Sequence, residues 1–354
     1  MTATLTIAPL DEALTFARSL AGQTMGVLSY RDDQLTGVDL SALMLSPGED
    51  AVDLINRLGQ DAVSAAMLSG QPAITLPVSE LDLPIKLTDA HIAVGTNYRE
   101  HAEESAVTGS PFLFPKLVTP TASRADIPAG VGLLDFEVEL CLVPLKPLSL
   151  TDPASGGLIL GNDVTDRALL MRGVNLKDPQ SGRGFTDGKS APGFLPVGDL
   201  LVVPRDLDAF VGGLILQLSV NGVERQRAPV TEWIWDLNEI LNQARAKRET
   251  VWSWRQGEAR LAFTEDGAIP ARTVIMAGTP AGTLFQGVPG KDRQSGLVRW
   301  ILSGFRGTVV KHVIDAYIAR SQARKTYLQP GDQVTIRVDR LGTLSNRVKA
   351  GNSL

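Results

Sequence analysis

The stretch Asp135-Phe136-Glu137-Val138-Glu139-Leu140-Cys141-Leu142-Val143 alternates acidic with apolar residues and then becomes wholly apolar. Alternation at period two marks a β-strand, on which residues i and i+2 share a face. Glu137 and Glu139 therefore stand side by side, while Phe136, Val138 and Leu140 point the other way. Carboxylates that close repel, and each raises the other's pKa unless a cation neutralises them. A solvated strand face would tolerate the pair, but the flanking apolar residues indicate burial. Further on, Gly161-Asn162-Asp163-Val164-Thr165-Asp166-Arg167 offers a third carboxylate, Asp163, on a turn opened by Gly and Asn. Three acids and a turn suit a hard octahedral ion that keeps open water positions. His91, His101 and His312 are the only histidines and Cys141 the only cysteine. A metal here must be held mainly by oxygen, which favours magnesium, manganese or calcium over zinc.

From about Ile85 the chain continues as short Val-, Ile- and Leu-rich runs bounded by Gly, Pro and Asp: Val138 to Val143, Leu200 to Val203, Leu214 to Val220, Val274 to Ala277 and Gln333 to Val338. These read as strands, so the fold class is mixed α+β, mostly β. Residues 1–85 read as a small N-terminal domain, with short apolar runs (Thr24 to Tyr30, Gly37 to Leu43) before a helical pattern from Ala51 to Leu68. Pro72, Pro77 and Pro84 mark its boundary with a larger unit at 86–354. An insertion at about 286–327 is basic: between Lys291 and Lys325 lie eight Lys or Arg against two acids. Thr308 to Arg324 has helical spacing with one mainly apolar seam. The insertion reads either as a solvated helix packed on the body or a second subunit, or as a lid or electrostatic funnel for an anionic substrate.

The 354 residues are 44% hydrophobic and 21% charged, the composition of a globular protein, with a net charge of −5. That balance gives no field for capturing phosphate backbones, so no nucleic-acid partner is expected. No apolar run reaches the ~20 residues of a membrane span. The first twenty residues lack the layout of a signal peptide, and the lone cysteine can form no internal disulfide. A cytoplasmic protein is expected. Neither a phosphate loop nor a Gly-x-Gly-x-x-Gly fingerprint after a strand occurs, and no Gly-x-Ser-x-Gly elbow supplies a nucleophile.

A second constellation is Gly95-Thr96-Asn97-Tyr98-Arg99-Glu100-His101-Ala102-Glu103-Glu104, an apolar strand passing through a Gly turn into a helix. His101 and Glu104 are i and i+3 and can touch, giving a carboxylate-oriented imidazole able to take a proton from water. Lys116 and Lys189 are candidates for contacting an anionic intermediate. Gly278-Thr279-Pro280-Ala281-Gly282 follows an apolar strand, and its amides and Thr hydroxyl could hold a carboxylate.

Together these segments resemble the fumarylacetoacetate hydrolase family, closest in motif to its acylpyruvate hydrolase branch. The resemblance rests on Gly95 to Tyr98 with His101, Leu113 to Lys116, Asp135 to Leu140, Asn162 to Thr165 with Arg167, Gly188 to Ser190, Val220 to Gly222 with Gln226, Gly278 to Gly282, and Pro330 to Asp332 before Leu341-Gly342. Their order is the family's order. It implies a β-roll catalytic domain, commonly a homodimer, with a divalent ion, magnesium first and manganese or calcium as alternatives, on Glu137, Glu139 and Asp163. It also implies that His101 with Glu104 activates water, with Lys189 as a third catalytic residue. Tyr98, Lys116, Arg167 and Thr279 are the expected substrate contacts. The expected function is hydrolysis of a carbon–carbon bond in a 1,3-diketone or acylpyruvate, in breakdown of an aromatic or cyclic compound. A second reading keeps the metal site but makes the reaction decarboxylation, hydration or isomerisation of a 2-oxo acid. This sequence departs from the family's pattern at Leu170, where relatives often have Gln, at Asp166, a fourth nearby acid, and in the long basic insertion. These departures predict a substrate larger or more unusual than a simple acylpyruvate.

Overall fold

In the computed structural model the apolar half of the opening stretch is the strand Val138–Val143, buried along its whole length. A strand apolar on both faces belongs inside a sheet. It pairs antiparallel with Gly157–Asn162 on one side and with Ile275–Met276 on the other. Ile275–Met276 runs parallel to Ala90–Gly95, which pairs with Phe112–Leu117. The structure describes residues 5–46, 48–69, 73–105, 109–130, 132–175, 178, 181–255 and 257–351. Pro72, one of the expected boundary prolines, lies outside them.

Among the described residues the sheet has ten strands. A second, five-stranded sheet contains Val223–Pro229, Ile215–Val220, Gln333–Val338, Gly342–Ala350 and Ile127–Ala129 in that order. One core lies between the sheets: Val138, Leu140 and Leu142 share it with Leu216, Leu218, Val334 and Ile336. The opposite face of the large sheet, with Cys141, Val143 and Ile159, is covered by Val52, Leu54, Ile55, Val63 and Met67 from two helices. Period-two alternation thus assigns each apolar residue of Val138–Val143 to one of two cores. The result is the mixed, mostly β architecture expected. No helix among the described residues is long and apolar enough to cross a membrane.

The stretch 1–85, expected as a small N-terminal domain, shares the large sheet with the rest of the chain. Its strands Ala13–Arg18, Thr24–Arg31, Gln34–Asp39 and Ala73–Pro77 continue the large sheet, because Ala13–Arg18 pairs with Leu201–Pro204. An ion pair reinforces the join: Asp50, fully buried, receives Arg272 Nη1 at 2.5 Å, and Asp53 receives Nη2 at 2.9 Å. The helical pattern from Ala51 to Leu68 is two helices, Ala51–Leu58 and Gln60–Leu68, since Gly59 at φ 82° breaks it. Asp50 also caps the first helix through Val52 N–H.

The basic insertion is a hairpin of two helices, Gly290–Leu302 and Val309–Arg324; Thr308 caps the second through Lys311 N–H. They pack backbone to backbone, for a Cβ on Gly296 would lie 2.4 Å from Val313 Cα. Asp292 forms an ion pair with Arg320 across the same contact, and Lys311 pairs with Asp315 at 2.6 Å. Ile314, Tyr317 and Ile318 seat the hairpin on Ala168 and Met171 of the helix Arg167–Gly173.

Asp50 both caps a helix and partners a partly buried guanidinium, so Asp50→Ala should destabilise the whole chain by about 3 kcal/mol. Urea unfolding should remain a single transition with a lowered midpoint. Separate unfolding of residues 1–85 in the wild type would contradict the shared sheet.

Candidate active site

The polar cluster begins where the face carrying Cys141 and Val143 runs out of apolar side chains. Glu139 lies on Val138–Val143, with Glu137 just before it, and the register sets Gly161 against Glu139 and Asn162 against Val138. Asp163 follows immediately, its N–H donating to Glu137 O at 2.9 Å. Glu137, Glu139 and Asp163 are 5%, 1% and 1% exposed, and one oxygen from each lies within 4.8 Å of the others.

Three cations surround them. Lys189, ending the short helix Phe185–Lys189, donates to Glu137 Oε2 at 2.7 Å, Asp163 Oδ2 at 2.8 Å and Thr165 Oγ1 at 2.8 Å. Arg167 reaches Glu137 Oε1 at 2.6 Å through Nη2 and Asp135 Oδ2 at 2.8 Å through Nε. Lys116 Nζ lies 2.5 Å from Asp163 Oδ1 and also donates to Lys189 O and Phe194 O. Glu139 accepts the Gly278 N–H at 2.7 Å, and among the described residues it has no ion-pair partner.

This asymmetry shows in the acidities. Burial disfavours the charged form of Glu137, but Lys189 and Arg167 outweigh it and hold the carboxyl down at about 2. Burial, then Asp163 and Glu137, push the Glu139 carboxyl well above the usual range. Burial opposes protonation of Lys189 too, yet Asp163 and Glu137 keep its pKa raised; at Lys116 burial wins and the pKa falls. The cluster thus has one carboxylate without its own cation. Oxygens around a hard ion with bonds of about 2.1–2.5 Å lie up to roughly 4–5 Å apart, so this donor set fits a divalent cation.

Across the cavity stands the helix Arg99–Glu104, where His101 Nδ1 lies 3.3 Å from Glu104 Oε2. Glu104 is fixed by the Gly282 N–H at 3.1 Å and by Gln286 Nε2 at 3.4 Å. An Nδ1–H held by the carboxylate leaves Nε2 as a proton acceptor. Asn97 Nδ2 ties the preceding turn to Ala277 O and Trp235 O, and Thr96 in that turn sits at φ 57°. Thr279 Oγ1 accepts from Gln226 Nε2 at 2.8 Å, which leaves the hydroxyl proton to donate elsewhere. His101, Glu137, Arg167, Lys189 and Thr279 all line one cavity of about 570 Å³.

A sequence profile described as fumarylacetoacetate (FAA) hydrolase C-terminal matches residues 90–349. The chain belongs to the fumarylacetoacetate hydrolase family. It is similar to 2,4-didehydro-3-deoxy-L-rhamnonate hydrolase of Sphingomonas sp. (strain SKA58), 27% identical over 52% of this chain and 62% of that protein. The match thus spans less than two thirds of that relative's length. It is also similar to the oxaloacetate tautomerase YisK of Bacillus subtilis (strain 168), 24% identical over 73% of this chain and 68% of that protein. Among solved structures, a fumarylacetoacetate hydrolase from Exiguobacterium antarcticum shares the fold at TM-score 0.61 and 22% identity, covering 96% of this chain and 99% of that one. A maleylpyruvate hydrolase from Sphingobium sp. SYK-6, in complex with manganese (II) ion and pyruvate, does so at TM-score 0.60 and 19% identity, covering 96% and 100%.

Two expected substrate contacts do not reach the cavity of this family member. Tyr98 is 1% exposed and Lys116 0%, and neither lines the wall. Lys116 has its three donors committed within the protein and holds Asp163 in place. Asp166 is no fourth member of the cluster: it caps the helix Arg167–Gly173 through Ala168 and Leu169 N–H and accepts Leu133 N–H. Sequence reasoning missed Asp135 as a supporting residue. It anchors Arg167 and also accepts the Leu284 and Phe285 N–H groups. The signal was present, since Asp135 continues the i, i+2 series of Glu137 and Glu139.

Removing the uncompensated charge alone should relieve the cation-free protein. Glu139→Gln keeps an acceptor for Gly278 N–H and should raise the stability of the chelator-treated protein by about 1 kcal/mol at pH 8. Thermal melts in EDTA check this; a lowered midpoint would contradict the account of the cluster.

Proposed function

We propose that this protein is a divalent-cation-dependent hydrolase that cleaves a carbon–carbon bond in an acylpyruvate-type 2,4-dioxo acid or related 1,3-diketone. The observation that carries the proposal is that the carboxylate-held imidazole of His101 lines the same cavity as Glu137, whose carboxylate is grouped with Glu139 and Asp163 just behind the wall. Glu137, Glu139 and Asp163 would hold the cation, with magnesium favoured and manganese as a substitute. When bound, it supplies a Lewis-acidic centre for the oxygens of the oxo-acid head.

The chain's own residues supply the remaining roles. Thr279 donates its hydroxyl proton to the substrate carboxylate, and Arg167 and Lys189 balance negative charge at the head. His101 Nε2 removes a proton from water as its oxygen bonds to the distal carbonyl carbon, while Glu104 fixes the tautomer and stabilises the imidazolium. The bond between that carbon and the central methylene breaks, and its electron pair passes to the 2-oxo acid fragment. The imidazolium returns a proton to that fragment, so the products are a carboxylic acid and a 2-oxo acid.

The maleylpyruvate hydrolase solved with manganese and pyruvate supports this reading by its shared fold. A second reading, proton shuffling on a 2-oxo acid without bond cleavage, draws on the similarity to an oxaloacetate tautomerase. The two differ in products. Acetylpyruvate with magnesium or manganese should yield acetate and pyruvate, with one oxygen of the acetate taken from labelled water, and EDTA should stop turnover. His101→Asn should lower kcat by about 10²–10⁴-fold with the cation affinity retained. Full activity of that variant, or turnover without oxygen incorporation, would overturn the hydrolytic mechanism.

A further inference from the structure

The cavity extends well beyond the acidic triad. Above the polar floor its wall is built from Leu170, Phe285 and Val288 of the body and from Leu297, Val310 and Val313 of the helical hairpin. At about 570 Å³ it lies within the ~300–1,000 Å³ range of sites for drug-sized ligands. A head group with the dimensions of pyruvate needs only the floor.

The hairpin's charges do not form the funnel that its basic sequence suggested. Arg320 is engaged by Asp292 and Lys311 by Asp315, and the cavity side of the second helix is Val309, Val310, Val313 and Ile314. Of the hairpin's basic residues, Arg293 alone lines the cavity, and its Nε donates to Val288 O at 3.2 Å. The hairpin is also mechanically joined to the catalytic floor. Phe285 lies 5.6 Å beneath the Arg167 guanidinium and meets Tyr317 edge-on at 6.1 Å between ring centres.

We propose that the helical hairpin is a specificity element for an apolar acyl arm. On this view the substrate is a 2-oxo acid of the class already proposed, whose distal part is an extended alkyl chain or a ring seated between Leu297 and Val310 on one side and Leu170 and Phe285 on the other. The inference rests on the hydrolase reading for the head group and adds the chemistry of the tail. Leu297 and Val310 are 44% and 45% exposed with the arm absent, so each offers surface for it to cover.

Binding rather than turnover tests this. Straight-chain 2-oxo acids from pyruvate to 2-oxooctanoate are titrated, with manganese present, into the full chain. Burying each added methylene should tighten binding roughly two- to fourfold, so 2-oxooctanoate should bind about 30-fold or more tighter than pyruvate. An equally long 2-oxo acid ending in a second carboxylate should bind more weakly than 2-oxooctanoate. The double variant Leu297→Asp with Val310→Asp, at partly exposed positions that tolerate polarity, should reduce the affinity ratio of 2-oxooctanoate to pyruvate about tenfold; Leu297→Ala with Val310→Ala should reduce it less. Equal affinity along the series, preference for the second carboxylate, or an unchanged ratio in both double variants overturns the proposal. Loss of acetylpyruvate hydrolysis with the binding series intact would overturn the hydrolase reading and leave this one standing.

Discussion

The structure turns on a buried charge imbalance. Glu137, Glu139 and Asp163 are drawn together by two adjacent antiparallel strands, and removing three carboxylates from water is costly unless cations accompany them. Lys189 and Arg167 compensate Glu137, Lys116 and Lys189 compensate Asp163, and Glu139 is left with a single backbone N–H. Much of the surrounding architecture serves that arrangement. Asp135 aims Arg167, the helix Phe185–Lys189 brings Lys189 over the triad, and Gly278 at φ 89° turns its amide toward Glu139. A side chain at Gly278 would collide with Asn97 Cβ at 2.7 Å, so the two loops that bound the cavity pack only because that position is Gly.

The same geometry separates the roles of the floor. One wall carries acids and fixed cations suited to a charged head, and the other carries a single imidazole whose partner, Glu104, is pinned by Gly282 and Gln286. The general base of the proposed mechanism needs a set tautomer and a place from which water can be approached, and His101 has a carboxylate partner at Nδ1 and lines the cavity. Glu104 receives hydrogen bonds from the loop that also contains Thr279, so in the proposed mechanism head-group binding and base orientation would both depend on one segment, Gly278 to Gln286.

The legible parts of the sequence were those governed by local periodicity. Alternation located Val138–Val143 and Gln333–Val338 at their observed bounds, and the i, i+2 and i, i+3 spacings placed Glu137 beside Glu139 and His101 beside Glu104. What local pattern could not convey was partnership across the chain. Prolines around residue 80 suggested a boundary, but an edge strand's hydrogen bonds take any partner that completes the sheet, and Ala13–Arg18 found Leu201–Pro204. Lys116 looked like a free cation because nothing nearby in sequence announces Asp163, Lys189 O and Phe194 O as its acceptors. The net basic charge of the hairpin concealed its apolar inner side for a similar reason: charge adds along the chain, whereas the face a helix presents depends on where its neighbour Gly296 lets it approach.

The central claim, that the triad is a cation site with one carboxyl whose ionisation burial opposes until the cation arrives, is tested most directly by calorimetric titration of manganese into chelator-stripped protein. Repeating it in buffers of different ionisation enthalpy counts the protons released. The account predicts one ion per chain, with proton release on binding between pH 6 and pH 8, because burial favours the protonated form of Glu139 and the cation takes the carboxylate. No binding, or binding of one ion with no proton released at any pH in that range, would contradict it.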